Sequence, residues 1–152
     1  MATTRPALSL KGRALRYLAG REHSRLELER KLAAHEEEPG QLARVLDELT
    51  AKGFIDARRV AESLAYRRGA RLGTARVRQE MLAKGLEPEA MADALQTLKA
   101  SEPARAREVW KRKFGEPAAD AAARARQMRF LAARGFAPEV IRRVVRGGDD
   151  DE

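Results

Sequence analysis

Apolar residues recur along the chain at the three- and four-residue intervals of amphipathic helices, and no stretch alternates as a β-strand does. The pattern predicts nine helices in three groups of three. We expect the first helix from about Ser9 to Ala19, and Ser24-x-x-Glu27 forms a capping box at the start of the second. The polar segment Glu36 to Gly40 separates the second helix from the third, which Gly53 ends.

The same plan continues in the rest of the chain. Asp56 is suited to begin a helix that runs to about Arg71, and Thr74 is suited to begin the next. A third group of helices is expected to start near Pro103, and Pro117 is expected to begin a long alanine-rich helix.

One segment of the second group returns in the third at an offset of 50 residues. Gly85-Leu86-Glu87-Pro88-Glu89 corresponds to Gly135-Phe136-Ala137-Pro138-Glu139. In each copy the glycine can adopt the left-handed conformation that ends a helix, and the proline fits the first position of a new one. A fixed period indicates repeat architecture.

We therefore predict an all-α fold in which three tandem three-helix repeats form an elongated, curved array. The predicted units cover residues 8–55, 56–100 and 101–147, and residues 148–152 are predicted to be an acidic disordered tail. Such arrays present extended surfaces and rarely enclose a catalytic cleft.

The amino-acid composition indicates an aliphatic core and an anionic partner. Hydrophobic residues make up 43% of the chain but aromatic residues only 5%, so aliphatic side chains must build the core. The net charge is +8, and arginine supplies most of the 31 basic residues. A guanidinium makes two-point contacts with phosphate or carboxylate, which favours a polyanion or an acidic protein surface as partner.

Cysteine is absent, which excludes disulfides and cysteine-based zinc sites. No run approaches the roughly 20 apolar residues that span a bilayer. We expect a soluble, cytoplasmic, monomeric protein that makes no contact with membranes.

The second unit contains a dense run of arginines with little acidic charge among them. Seven arginines lie between Arg58 and Arg78, with Glu62 as the single acidic residue among them. Arg76 and Arg78 fall in the first turn after Thr74, where the helix macrodipole disfavours cations, and free amides beside arginine suit an external phosphate or carboxylate. The residues predicted to contact an anionic partner are Tyr66, Arg67, Arg68, Arg71, Arg76, Arg78 and Lys84.

The alternative interpretation is that these arginines are solvated, with Arg76 or Arg78 paired to Glu80 or Glu62. A second basic group is expected to be ordinary surface, because its members scatter around a helix: Lys111, Arg112, Lys113, Arg124, Arg126 and Arg129.

The sequence offers no catalytic constellation. His23 and His35 have no ligand or base at a matched spacing, and the triplet Glu36-Glu37-Glu38 has no distant partner. Phosphate loops and nucleophile or metalloprotease motifs are also missing. We expect no enzyme activity, no cofactor and no metal.

Several strings along the chain resemble the RecX family, bacterial regulators of the RecA recombinase. Their order and spacing carry the resemblance over residues 8–146. The strings are Arg21-Glu22-His23-Ser24-Arg25-Leu26-Glu27-Leu28, Gly53-Phe54-Ile55-Asp56 with Arg59 and Ala61, Arg76-Val77-Arg78-Gln79-Glu80, Lys113-Phe114, and Arg129-Phe130-Leu131-Ala132-Ala133-Arg134-Gly135-Phe136. Ala57 and Val60 depart from the family pattern, which often has Asp and Phe there.

The resemblance implies a non-enzymatic modulator with tandem three-helix repeats bent into an arc. Such proteins bind in the groove of the RecA–single-stranded DNA filament, where they slow filament growth, ATP hydrolysis and strand exchange; some also contact DNA. Two alternatives remain open at this point: a free-standing basic nucleic-acid-binding module, and a structural adaptor whose charge serves only solubility.

Overall fold

The computed structural model describes residues 7–146, so the predicted acidic tail at 148–152 lies outside the described residues. Residues 7–146 form eight α-helices and one short 3₁₀ turn, Ala33–His35, with no β-strand. The helices are α1 (Leu10–Gly20), α2 (Arg25–Leu32), α3 (Gln41–Ala51), α4 (Ala57–Gly69), α5 (Thr74–Ala83), α6 (Pro88–Lys113), α7 (Ala121–Ala133) and α8 (Pro138–Val145). The predicted all-α repeat fold is confirmed.

Local sequence signals set most helix ends. The capping box at the start of α2 has both of its hydrogen bonds, between Ser24 and Glu27. Asp56 accepts a hydrogen bond from the Arg59 amide at the start of α4. Gly85 and Gly135 have positive φ angles of 77° and 91°, and each is followed three residues later by a proline in the first turn of the next helix. These helix ends agree with the positions predicted from the sequence.

The buried side chains fall into three clusters, one for each predicted repeat. The first contains Leu28, Leu32 and Leu46 from α2 and α3, together with α1 residues. The second joins α4, α5 and the first half of α6 around Val77 and Met81. The third joins the second half of α6 to α7 and α8. The fold is therefore three small cores in series, as expected for a repeat protein.

The number of helices differs from the predicted nine because α6 is continuous. It runs for 26 residues and contains Pro103, where a new helix was expected. Proline cannot donate to the carbonyl of Lys99, a loss that normally ends or bends a helix. Here Leu98, Glu102 and Ala106, spaced four apart on one face, are all buried. Burial against two repeats outweighs the break, and the expected boundary between residues 100 and 101 falls inside this helix.

Two further helix starts differ from the prediction. Gly73, not Thr74, is the residue that precedes α5, and Thr74 is already helical. The alanine-rich helix α7 begins at Ala121 instead of Pro117, because the side chain of Asp120 accepts a hydrogen bond from the Ala123 amide, 2.8 Å away. The side chain of an aspartate at the N-cap accepts a hydrogen bond from a free amide of the first turn, which the side chain of Pro117 could not do.

Glu27 connects the first repeat to the second. Its carboxylate accepts hydrogen bonds from Arg21 at 2.6 Å and from the Ser24 amide at 3.1 Å, and it lies 3.1 Å from the Lys84 ammonium at the end of α5. Burial alone would raise the pKa of Glu27, but the hydrogen bonds from Arg21, Ser24 and Lys84 outweigh it and lower the pKa to about 2. The ionised carboxylate thus stabilises both the α2 cap and the contact between repeats.

Glu102 connects the second repeat to the third. The residue is only 6% exposed, and its two carboxylate oxygens accept hydrogen bonds from the Thr74 amide at 2.6 Å and the Ala137 amide at 3.0 Å. These amides lie at the starts of α5 and α8. Burial disfavours the charge, but the hydrogen bonds from Thr74 and Ala137, with Arg105 nearby, leave the pKa of Glu102 below its ordinary value.

Arg105, one turn further along α6, stabilises the same junction. Its guanidinium donates to the carbonyls of Gly69, Leu72 and Leu98 and to the hydroxyl of Thr74. The unpaired carbonyls at the end of α4 are therefore satisfied by a cation, which is also the favourable charge at a helix C-terminus.

Backbone packs directly on backbone at this junction. The Gly73 amide donates to the Arg134 carbonyl at 2.8 Å, and a Cβ atom added to Gly73 would lie 2.2 Å from the Gly135 carbonyl oxygen. Neither backbone can move without disturbing a helix end, so this position requires glycine.

We expect Gly73→Ala to lower the free energy of unfolding by about 2 kcal/mol or more, as overpacking against rigid neighbours does. Gly20→Ala is the matched control, because a Cβ atom there has no neighbour within 4 Å and alanine favours the helix. Urea denaturation of both variants measures the difference. Equal stability of the two variants would contradict the close approach.

Acid should weaken the fold through Glu27 and Glu102. Both have folded-state pKa values below the ordinary 4.5, so their stabilisation is fully present above about pH 5. It is lost as the pH falls through the lowered folded-state values. Thermal melts between pH 7 and pH 2.5 should show Tm falling below pH 5.

The variant Glu102→Gln isolates the contribution of Glu102. It should unfold about 1–3 kcal/mol more easily at pH 7, because a neutral amide replaces a buried charge-assisted acceptor of two N–H groups. Its Tm should also fall less than that of the wild type between pH 5 and pH 2.5. A variant with the full wild-type acid dependence would exclude Glu102 as a contributor.

Candidate contact surface

The residues predicted to contact a partner divide into two groups in the structure. Arg67, Arg71 and Arg78 are exposed, and their side chains have no hydrogen bond or ion pair within residues 7–146. Tyr66 is 87% exposed, a high value for an aromatic side chain. These four side chains, on α4 and α5 and in the loop between them, are available to a partner.

The other three predicted residues make contacts within the chain. Arg68 pairs with Glu80 at 2.9 Å, which joins α4 to α5. Arg76 donates to the Ala133 carbonyl at 2.7 Å, at the end of α7. Lys84 pairs with Glu27 at the first junction. The alternative interpretation foresaw an ion pair with Glu80, but Arg68 forms it instead of Arg76 or Arg78.

The start of α5 differs from the expectation of free amides beside arginine. The Thr74 amide is occupied by the carboxylate of Glu102, which α6 brings from 28 residues away. The carboxylate suggested for that position is therefore the protein's own. Arg76 serves the same junction by binding the end of α7, so this helix start is a contact between repeats.

A second arrangement of cations lies at the C-terminal end of α4, close to the ends of α6 and α7. Seven residues line a cavity of about 330 Å³, of which four are basic and none is acidic. The basic residues come from the loop after α4, from the end of α6 and from the end of α7. We call this the cationic cleft and define it by Arg71, Arg112, Lys113 and Arg134.

Phe130 orients two cations of the cleft. The Lys113 ammonium lies 5.4 Å from the centre of the Phe130 ring, and the Arg134 guanidinium lies 4.9 Å from it. The ring in turn packs edge-on against Phe114 with centroids 5.5 Å apart. Cation–π contacts of this kind hold long side chains in place, which reduces the entropy lost when they bind an anion.

Of the four cations of the cleft, the sequence predicts only Arg71 as a contact residue. Arg112 and Lys113 were expected to be ordinary surface, and Arg134 carried no prediction. No local spacing connects residue 71 with residues 112 and 134; they meet because α4, α6 and α7 pack together. Like charges placed together without a neutralising carboxylate favour an external anion.

No group of three or more acidic or histidine side chains in the described part of the chain could hold a metal ion. His23 is buried, with its ring nitrogens near the Arg21 carbonyl and the Lys31 ammonium, and desolvation by burial lowers its pKa. Between residues 7 and 146, none of the helices combines the length and the apolar character needed to cross a bilayer.

Comparison with known proteins agrees with this architecture. Residues 11–49 match the family model for the first three-helix domain of RecX, and residues 101–145 match the model for the third. The crystal structure of RecX from Lactobacillus salivarius superposes with a TM-score of 0.76 over 90% of this chain and 92% of that one. At 18% sequence identity, that likeness shows the fold alone.

Sequence relatives extend the match along the whole chain. The regulatory protein RecX of Leptothrix cholodnii is 54% identical over 151 residues, which cover 99% of this chain and 96% of the relative. The regulatory protein RecX of Ralstonia nicotianae is 48% identical, over 98% of this chain and 94% of that protein. On this similarity, with three-helix domains matched in the first and last thirds, the chain belongs to the RecX family.

Proposed function

We propose that the protein is a non-enzymatic modulator of the RecA recombinase. It binds in the groove of the RecA–single-stranded DNA filament and limits filament extension, ATP hydrolysis and strand exchange. Membership of a family of regulatory proteins supports a regulatory role. The cytoplasm is its proposed location, and the monomer its proposed form.

The cationic cleft is the observation that carries this proposal. An anionic partner is supported by the four cations that line the cleft without a carboxylate. Arg67 and Arg78, whose side chains have no partner within residues 7–146, add to this charge. A filament of protein and single-stranded DNA presents both phosphate and acidic side chains. Among the predicted contacts, Arg67, Arg71, Arg78 and Tyr66 are proposed to bind the partner directly, whereas Arg68, Arg76 and Lys84 are proposed to position the surface.

Reversal of the cleft charge should abolish most of the inhibition. We expect Arg71→Glu/Arg112→Glu to raise the concentration needed for half-inhibition of RecA ATPase on single-stranded DNA by about tenfold or more, because like charges then face the filament. Filament length followed in parallel should remain near that of RecA alone.

The matched control is Arg124→Glu/Arg126→Glu. These exposed α7 residues do not line the cleft, and their side chains have no hydrogen-bond or ion-pair partner within residues 7–146. The change in net charge is nevertheless the same. The control should inhibit within about twofold of the wild type, since non-contact surface charges contribute little. Equal inhibition by both folded double variants would remove the cleft from the contact surface.

The alternative is a free-standing nucleic-acid-binding module. It is favoured by the same cleft, because a cationic site beside an aromatic ring also suits single-stranded nucleic acid. This function requires tight binding to naked poly(dT) that falls linearly in log affinity with log salt. Weak binding to naked DNA at physiological salt, beside tight binding to the filament, would support the modulator.

A further inference from the structure

A groove between α4 and α6 lies beside the cationic cleft and differs from it in character. Its volume is about 630 Å³. From α4 it is lined by Glu62, Tyr66 and Gly69, and from α6 by Asp93 and Thr97, among others. On each helix these residues are three or four apart and so share one face. No residue of α5 lines the groove, so the α4–α6 pair is open on this side.

The floor of the groove is apolar, and most of its side chains are small. Ala65, Ala94 and Leu98 contribute to it, and the two helices touch at Gly69, where an added Cβ atom would lie 2.8 Å from Leu98. Tyr66 stands at the rim with its ring exposed and without a ring contact in the described residues. A rigid aromatic beside an apolar depression is a frequent hot spot of protein interfaces.

The two ends of the groove carry opposite charge. Glu62 and Asp93 line one end, and neither has an ion-pair partner within residues 7–146, although the chain as a whole is strongly basic. Ala70 lines both this groove and the cationic cleft, so the other end opens beside Arg71 and Arg112. The occupant should therefore be positive at one end, negative at the other and apolar between.

We propose that this groove binds an amphipathic helix of the recombinase protein, by helix-in-groove recognition. A basic residue or the N-terminus of that helix faces Glu62 and Asp93, and an acidic residue or its C-terminus faces the cationic cleft. The macrodipole of the helix favours the same orientation. The α6 wall from Asp93 to Arg105 spans about 18 Å, or roughly three helical turns. The choice of recombinase as partner rests on the proposed function.

Filling the groove tests the proposal. Thr97→Trp places a bulky ring in the groove from an exposed position, and Gln96→Trp is the control, because Gln96 is exposed on α6 and does not line the groove. Binding is measured to RecA filaments on poly(dT) held with a slowly hydrolysed ATP analogue, to RecA without DNA, and to naked poly(dT). Thr97→Trp should weaken filament binding by about tenfold or more, as blocking a hot spot does, and the control by less than about twofold.

A charge reversal gives an independent reading that does not depend on packing. Glu62→Lys/Asp93→Lys makes the protein more basic, so general attraction to a polyanion would strengthen filament binding. If Glu62 and Asp93 instead bind a basic residue of the partner helix, the reversal should weaken filament binding by about tenfold. The control Glu37→Lys/Glu38→Lys makes the same change of charge in the polar segment of the first repeat, and it should leave filament binding unchanged or slightly stronger.

These measurements distinguish a failure of the groove proposal from a failure of the proposed modulator function. Circular dichroism melts establish that each variant is folded. Failure of the wild type to bind the filament would overturn both the modulator function and the groove assignment. Tight wild-type binding that neither groove variant weakens would overturn the groove alone. Weaker binding of Thr97→Trp to naked poly(dT) would assign the groove to nucleic acid and also overturn it.

Discussion

The arrangement of the second and third repeats depends on one buried carboxylate. Glu102 holds the start of α5 with one oxygen and the start of α8 with the other, at 2.6 and 3.0 Å. Each helix start supplies unpaired N–H groups and a partial positive charge, so a single anion stabilises two repeats at once. Arg105 performs the complementary task for the carbonyls at the end of α4. Both residues lie on α6, which makes that helix the axis of the junction.

The first junction uses the same chemistry in a more exposed form. Glu27 completes the cap of α2 and also binds Lys84 from the end of α5. At both junctions a carboxylate that satisfies a helix start also contacts the neighbouring repeat. Because amide and cation partners favour the ionised form, the pKa values of both acids are lowered despite burial. Contact between repeats is thus electrostatic as well as apolar.

Local chemistry made much of the fold predictable. The capping box at Ser24, the Asp56 cap and the glycine–proline pairs at Gly85 and Gly135 act over a few residues, so the sequence reveals them. The continuity of α6 through Pro103 was not predictable in this way, because it depends on burial against two repeats. The cationic cleft is beyond local pattern for the same reason. Arg71 stands out in the sequence, but Arg134 meets it only after α4, α6 and α7 have packed.

The continuous α6 has a consequence for how such a chain can be modified. In many repeat proteins a unit can be duplicated or removed, because the connections between units are loops. Here the second and third units share the single helix α6. Its first half contributes Leu98 to the second core, and its second half contributes Ala106 to the third. Any insertion or deletion along α6 that is not a whole number of turns would rotate the third core relative to the second, by about 100° per residue. Length changes within α6 are therefore constrained in a way that length changes in its flanking loops are not.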